Sequence, residues 1–337
     1  MDSSALKMKE ISFDQFEAIK IGHAVDEEGA TGCTVLLAPE GMAAGVDVRG
    51  GGPASRETTL LGTLASAESI HALTFSGGSA FGLSAGCGVA DYLEEQGIGL
   101  DTGYAKVPLV CQSCIYDLGV GSASVRPDWQ MGRKACEDAF SGLHKTDEGN
   151  VGAGIGASVG KALGGAYMMK SGLGLYALQF GNLKVGALVV LNALGDIYDA
   201  DSHEKIAGLL NEERTGFADG ETALMQLLAK AEGDNLFTAN TTLAAVVTNA
   251  DFHKMELSRM ASQCHNGYAR TIRPVHTSAD GDSIYALSVG TVKANLDLVS
   301  AMATEVVARA VNRAAYCAKE AYGLPCASGF KKERDDS

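Results

Sequence analysis

The sequence is short of several things, and each shortage excludes something. Aromatic residues make up only 6% of 337, with a single Trp, so the core is not built on large rings. Proline occurs six times and no segment is rich in Pro or Ser, so no linker divides the chain. Lys and Arg number 27 against 41 acids, a net charge of −14. The one basic run, Lys331-Lys332-Glu333-Arg334, is short, terminal and mixed with acid. A nucleic-acid partner, which needs clustered cations, is excluded. No apolar run approaches the ~20 residues of a membrane helix. The polar start MDSSALKMKEISFDQF has no signal-peptide core, so a cytoplasmic protein is expected.

Metal chemistry lacks its ligands. Eight cysteines are scattered, and only Cys111 and Cys114 form a C-x-x-C. Zinc needs four ligands, and no second pair and no H-x3-5-H accompanies them. In the apolar stretch VPLVCQSCIYDLG they read as core cysteines. The seven histidines are isolated. No metal and no cofactor is expected.

What the chain has in plenty is small residues, 42 of them glycine, which suit closely packed layers and tight turns. Short strands and Gly-rich turns open the chain (AIKIGHAV, TGCTVLLA, GVDVRGGGP). Helical spacing then appears over Thr58–His71, Ser79–Gln96, WQMGRKACEDAFSGL, about Ser202–Ala231, about Asp251–Tyr268 and about Leu296–Ala321. Strand-like runs lie between them: HALTFSGG, YMMKSGLGLYALQF, KVGALVVLNALG, TTLAAVVTN and SIYALSVG. Strands alternating with pairs of helices predict an α+β protein with sheets packed together and helices outside.

Three motifs invite chemistry. GAGIGASVGKA is not a phosphate loop, because Ile155 stands where Gly is required and Ala162 where Ser/Thr must hold Mg²⁺. It reads as a Gly-rich turn. Ser79 in SGGSAFG sits where a nucleophile elbow would, but Phe81 replaces the required Gly; a helix N-cap is the plainer reading. Gly77, Gly78 and Ser79 offer backbone N–H groups to line a pocket. Asp280-Gly281-Asp282 is a turn before a strand, with two acids able to orient a catalytic group.

FTANTTLAAVVTN raises the sharpest question. Thr241 and Thr242 are ordinary β-formers. A Thr freed at its amino terminus, however, carries nucleophile and base together, since its α-amine titrates near 7.7–8.0.

Across about residues 20–290 the sequence resembles the self-processing N-terminal-nucleophile amidohydrolases. These include the L-aminopeptidase/D-Ala-esterase-amidases, the β-peptidyl aminopeptidases and the nylon-oligomer endohydrolases. The matching stretches are IGHAVDEEGATGCTVLLAPEGMAAGVDVRGGGPASRET, LTFSGGSAFGLSAGCGVADYLEEQGIG, VGAGIGASVGKALGG, MKSGLG, VGALVVLNALGD, NTTLAAVVTNA and YARTIRPVHTSADGDSIYALSVG. The resemblance implies a four-layer α/β/β/α sandwich and one domain, 1–337, cut between Asn240 and Thr241 into segments 1–240 and 241–337. Thr241 would be the nucleophile, Asp280 and Asp282 its orienting acids, and Asn192 the oxyanion donor. Tyr116 would be a pocket donor. A lysine is implied beside the acids: Lys170, preceding a Gly-rich turn, is favoured over Lys161, which is placed in the substrate pocket with Gly77, Gly78 and Ser79. A small peptide or amide is the implied substrate and a homotetramer the implied assembly. The competing readings are a serine hydrolase using Ser79 and an uncut homologue that binds a small metabolite.

Overall fold

The computed structural model describes residues 7–230 and 240–330. Phe237–Ala239 of the threonine stretch and the basic tail lie outside them. Ten strands carry the architecture: β1 Lys9–Glu10, β2 Lys20–Asp26, β3 Thr31–Val48, β4 Ala54–Arg56, β5 Ile70–Ser76, β6 Val110–Cys114, β7 Leu173–Phe180, β8 Leu183–Val190, β9 Leu243–Ala250 and β10 Ser283–Val292. The long helices are α1 Ala85–Glu95, α2 Trp129–Ser141, α3 Gly220–Lys230, α4 Lys254–Thr271 and α5 Leu296–Tyr316.

The strands form one path, β1-β7-β8-β9-β10-β3-β5-β6-β4, with β2 on β3. Strand β3 is long enough to serve two sheets. Its first half pairs with β2 and β5, the register shifts between Leu37 and Met42, and its second half pairs with β10. The path therefore folds over on itself into two stacked sheets.

Period-two alternation sorts side chains between layers. On β9, Leu243, Ala245 and Val247 face the inter-sheet core with Leu36, Leu73 and Phe75, while Ala244 and Val246 face α4 and α5. On β3, Cys33, Val35 and Leu37 face α1 and α2. Three apolar cores separate four layers, so the protein is an α/β/β/α sandwich, as expected.

Glycine sets the spacing of those layers. A Cβ on Gly174 of β7 would lie 2.3 Å from Ala310 O of α5, and one on Gly45 of β3 would lie 2.3 Å from Ser258 N of α4. The helices rest on bare backbone, which is why few large side chains are needed.

One expected helix is absent and a second is shorter than expected. Thr58–His71 contains only a 3-10 turn over Thr58–Leu61, and from Ile70 on the chain is β5. The apolar run there is wholly buried between β3 and β6, and sheet pairing overrides its helical spacing. In Ser202–Ala231 only α3 is helical; Lys205–Ala207 instead forms a short strand. The buried Asp196 carboxylate organises this region, accepting from Lys205 Nζ at 2.5 Å, Leu209 N at 2.7 Å and Gly220 N at 2.9 Å. Ala231 lies outside the described residues.

Gly174→Ala should lower stability by roughly 1–3 kcal/mol, because backbone on both sides must move to admit one methyl. Gly329, with open space around its Cβ position, is the control. Urea unfolding of both variants checks this; equal midpoints would contradict helix seating on Gly174.

Candidate active site

Strands β9 and β10 run parallel, Leu243 opposite Ser283, and the bridge continues backward to Asn240 opposite Asp280. Each residue of Asn240-Thr241-Thr242 therefore lies beside its counterpart in Asp280-Gly281-Asp282. The second segment is held from behind by the loop after β3, with Gly52 N donating to Asp280 O at 2.8 Å and Arg49 N to Asp282 O at 3.0 Å.

At the centre is the Asn240 carbonyl. Gly281 N–H donates to it at 2.7 Å, and the Thr241 hydroxyl donates to it at 2.5 Å. A Cβ on residue 281 would fall 2.5 Å from Thr241 Oγ1, so only glycine lets the amide come this near. Thr241 is 4% exposed. Its N–H donates to Asn192 O at 2.9 Å, which extends the β8–β9 ladder past Val190 and places Asn192 against the threonine.

The Asn192 side chain is fixed by its donors. Its Oδ1 accepts from Lys161 Nζ at 2.6 Å and Ser158 N at 3.1 Å. Its Nδ2 must then be the donating end, and gives one N–H to Tyr116 O at 2.9 Å. Tyr116 leaves the end of β6 with its ring at the surface, on the rim of a cavity of about 210 Å³. Asp117, Ser158, Lys161, Met168 and Asn240 also line it. Two larger clefts, of 530 and 520 Å³, open elsewhere, away from the threonine.

The acids are held differently. Asp282 Oδ1 accepts from Thr242 N at 2.8 Å, while its Oδ2 accepts from His276 Nδ1 at 2.9 Å. Asp280 Oδ2 accepts from Thr277 N and Thr277 Oγ1, both at 2.7 Å. Burial, with the Asp282 charge beside it, pushes Asp280 up to about 6. Burial pushes the Lys161 ammonium down to about 7, against the pull of Asp280 and Asp117.

The two candidate lysines thus separate. Lys161 reaches Asn192 and feels Asp280. Lys170, expected beside the acids, is wholly buried and donates to Gly154 O at 3.1 Å, Ala157 O at 3.0 Å and Ser171 O. Two of its three partners are carbonyls of the Gly-rich loop, so it braces the loop that carries Ser158 and Lys161.

The Gly77-Gly78-Ser79 amides are likewise spent inside, donating to Gly32 O, Asp117 Oδ1 and Ile115 O at 2.9, 2.7 and 3.0 Å. They build the seat of Asp117, whose other oxygen accepts from Thr31 Oγ1 at 2.7 Å. Ser79 is no N-cap: the 3-10 turn Ser79–Ser84 begins there, its cap is Gly78, and Ser79 itself has φ +52°. Among the described residues no histidine bonds to Ser79, which leaves the serine-hydrolase reading without a histidine base. Cys111 and Cys114 are buried, their thiols pushed up to about 12 by burial, as core cysteines should be.

Asp117, Gly281 and His276 were not singled out by sequence reasoning. Asp117 follows Tyr116 directly and Gly281 stands between the two acids, so adjacency was the available signal. His276 had none.

Residues 15–325 match peptidase family S58. The chain belongs to that family. It is 34% identical over 349 residues, 95% of this chain and 94% of the relative, to a Mycobacterium leprae protein named an uncharacterized aminopeptidase. It is 32% identical over 326 residues, 90% and 86%, to the 6-aminohexanoate-oligomer endohydrolase of Kocuria sp.. The fold matches the L-aminopeptidase D-Ala-esterase/amidase of Ochrobactrum anthropi, a variant of the Ntn hydrolase fold, with TM-score 0.66 at 17% identity, covering 95% and 91%. A Burkholderia sp. β-aminopeptidase matches with TM-score 0.63 at 18% identity, covering 93% and 89%. This S58 protein is accordingly a hydrolase of amide or peptide bonds on an Ntn hydrolase fold. Among the described residues no helix is long and apolar enough to cross a membrane.

The Asp280 value has a measurable consequence. Because it is raised from 3.8 to about 6, the protonated form suits the folded state better than the charged form. That contribution is complete at low pH and is lost as pH rises through about 6. From about pH 4 to 7, wild type should lose urea stability relative to Asp280→Asn. Parallel curves would mean that the carboxyl is not perturbed.

Proposed function

We propose that this protein is a precursor that cuts itself between Asn240 and Thr241, and that the freed Thr241 is the nucleophile of an aminopeptidase or amidase. One observation carries the reading. The Thr241 hydroxyl lies against the carbonyl of the residue before it, while Gly281 N–H holds the same carbonyl oxygen. This brings nucleophile, electrophile and oxyanion donor together in the unbroken chain.

In maturation, Thr241 Oγ1 attacks the Asn240 carbonyl carbon and gives up its proton. Negative charge grows on Asn240 O and is met by Gly281 N–H. The C–N bond breaks as the Thr241 nitrogen takes the proton that the hydroxyl gave up, which leaves Asn240 esterified on Thr241. Water hydrolyses that ester and releases segments 1–240 and 241–337. The new α-amine stays at the position from which Thr241 N contacts Asn192 O.

In turnover, the neutral α-amine takes the hydroxyl proton as Oγ1 attacks the substrate carbonyl, then returns it to the leaving amine. Asn192 donates from Nδ2 to the developing oxyanion, its amide oriented by Lys161 and Ser158. One such donor is worth about 3 kcal/mol of barrier. Lys161, not Lys170, takes the role of the site lysine, through its contact with Asn192 and its field on Asp280. Asp282 fixes the backbone after the nucleophile, and Tyr116 borders the cavity that receives the acyl group. Water then frees the acyl group. The substrate is a small peptide or amino-acid amide, a class spanned by the named activities of the relatives. A homotetramer of cut protomers belongs to the same proposal, and sedimentation tests it.

The decisive comparison is wild type against Thr241→Ala under denaturing mass spectrometry. Wild type should give two fragments, the smaller beginning Thr-Thr-Leu-Ala. The variant should give one intact chain without hydrolase activity. A cut or active Thr241→Ala protein would refute the mechanism. Asn192→Ala should lower kcat about 10²–10³-fold in the cut enzyme.

A further inference from the structure

Behind Asp282 lies a buried polar cluster that the mechanism above does not use. His276 holds Asp282 Oδ2 twice, through its ring Nδ1 at 2.9 Å and its own backbone N–H at 3.2 Å. To do so it adopts φ +59°, a left-handed conformation unusual for a side chain of this size. Its ring packs edge-on against His265 of α4, centroids 4.6 Å apart, and lies 6.1 Å from the Tyr268 ring, while His265 and Tyr268 are 5.6 Å apart. His265 and Tyr268 are fully buried.

Each of the three rings carries a buried polar atom with no hydrogen-bond partner among the described residues: His265 Nδ1, Tyr268 Oη and His276 Nε2. Buried polar atoms are normally satisfied, so three on touching rings call for an explanation. Their partners assign the tautomers. His265 Nε2 donates to Asp47 O at 3.1 Å, and burial pushes this ring down to about 4, so it is neutral and its Nδ1 is an acceptor. His276 Nδ1 faces a carboxylate and donates to it, so Nε2 is the ring atom left for a further partner. Tyr268 supplies one O–H donor. An acceptor on His265, a donor on Tyr268 and the second ring nitrogen of His276 can all be met by a single water, which both donates and accepts.

We infer that His276 is a positioning residue that locks Asp282, and through it the Thr241–Thr242 peptide, and that it is itself locked by one buried water shared with His265 and Tyr268. The path is continuous: Tyr268 and His265 to water, water to His276 Nε2, His276 Nδ1 to Asp282 Oδ2, and Asp282 Oδ1 to Thr242 N. Its effect is to hold the hydroxyl of Thr241 against the Asn240 carbonyl. The inference rests on the reading of Thr241 as the self-cutting residue.

The test is the rate of cleavage at Asn240–Thr241, followed by pulse-chase translation in vitro, so that no substrate need be known. His276→Leu removes the donor to Asp282 and should slow cleavage about tenfold or more, since bonds to charged groups are among the stronger ones. His276→Asn places an amide N–H near the Nδ1 position and tolerates the left-handed backbone, so it should cleave within about threefold of wild type. His276→Gly also admits the left-handed backbone but has no donor, and should cleave as slowly as His276→Leu; rescue by Asn and not by Gly is what a merely structural role would not give. Equal slowing of His276→Leu and His276→Asn, or His276→Leu cutting at the wild-type rate, would overturn the inference. Should His276→Leu fail to fold, Tyr268→Phe removes only the hydroxyl, leaves the 276 backbone alone, and should slow cleavage about two- to fivefold. An unchanged rate there would overturn the shared water. A wild-type chain that is never cut would refute the Thr241 reading instead, so the two failures are distinguishable.

Discussion

Everything at this site depends on two parallel strands starting side by side. Parallel strands cannot be joined by a tight hairpin, so β9 and β10 are separated by α4 and a return loop. That detour lets two segments 40 positions apart, Asn240-Thr241-Thr242 and Asp280-Gly281-Asp282, meet residue by residue. A shift of register by one residue would turn Asp282 away from Thr242 and put a carboxylate-bearing residue where Gly281 now admits the hydroxyl. The ladder is fixed in turn by alternation, because Leu243, Ala245 and Val247 must face one core and Ala244 and Val246 the other.

Around that pair the protein buries several charged groups, and each has its compensation. Lys170 is surrounded by three carbonyls, Asp117 by Gly78 N–H and the Thr31 hydroxyl, and Lys161 by an amide oxygen within the field of two acids. Burial disfavours each charge, which is why Lys161 and Lys170 fall to about 7 and Asp280 rises to about 6. A fold that only needed stability would have no reason to gather these groups at one end of its sheets.

The scarcity of aromatics and the wealth of glycine have one cause. The four layers pack with backbone near backbone, as at Gly45 and Gly174, and there is little room between helix and sheet for large rings. Among the wholly buried side chains of the described residues the large rings are few, and two of them, Tyr285 and Tyr268, come with a polar handle, while Phe75 does not. Tyr285 meets the Ser113 hydroxyl at 2.6 Å between the two sheets, and Tyr268 turns toward the cluster behind Asp282.

By itself the sequence determined the class of fold, most of the strands and the longer helices, because alternation and 3.6-residue spacing are local properties of the chain. It also carried the family resemblance, and with it Thr241, Asn192 and the acids around Gly281. It misled where local pattern and global pairing disagree. Thr58–His71 has helical spacing, yet Ile70 onward is drawn into the middle of a sheet. In Ser202–Ala231 the Asp196 carboxylate dictates turns that no periodicity records. Lys170 and Lys161 flank equally suggestive Gly-rich turns, and only the folded path sends one toward loop carbonyls and the other to Asn192. Asp117, the spent amides of Gly77 to Ser79, and His276 behind Asp282 were likewise decided by tertiary structure. The physical reason is common to all of them: a side chain's role is set by the donors and acceptors that reach it, and those come from strands and loops far away in the chain.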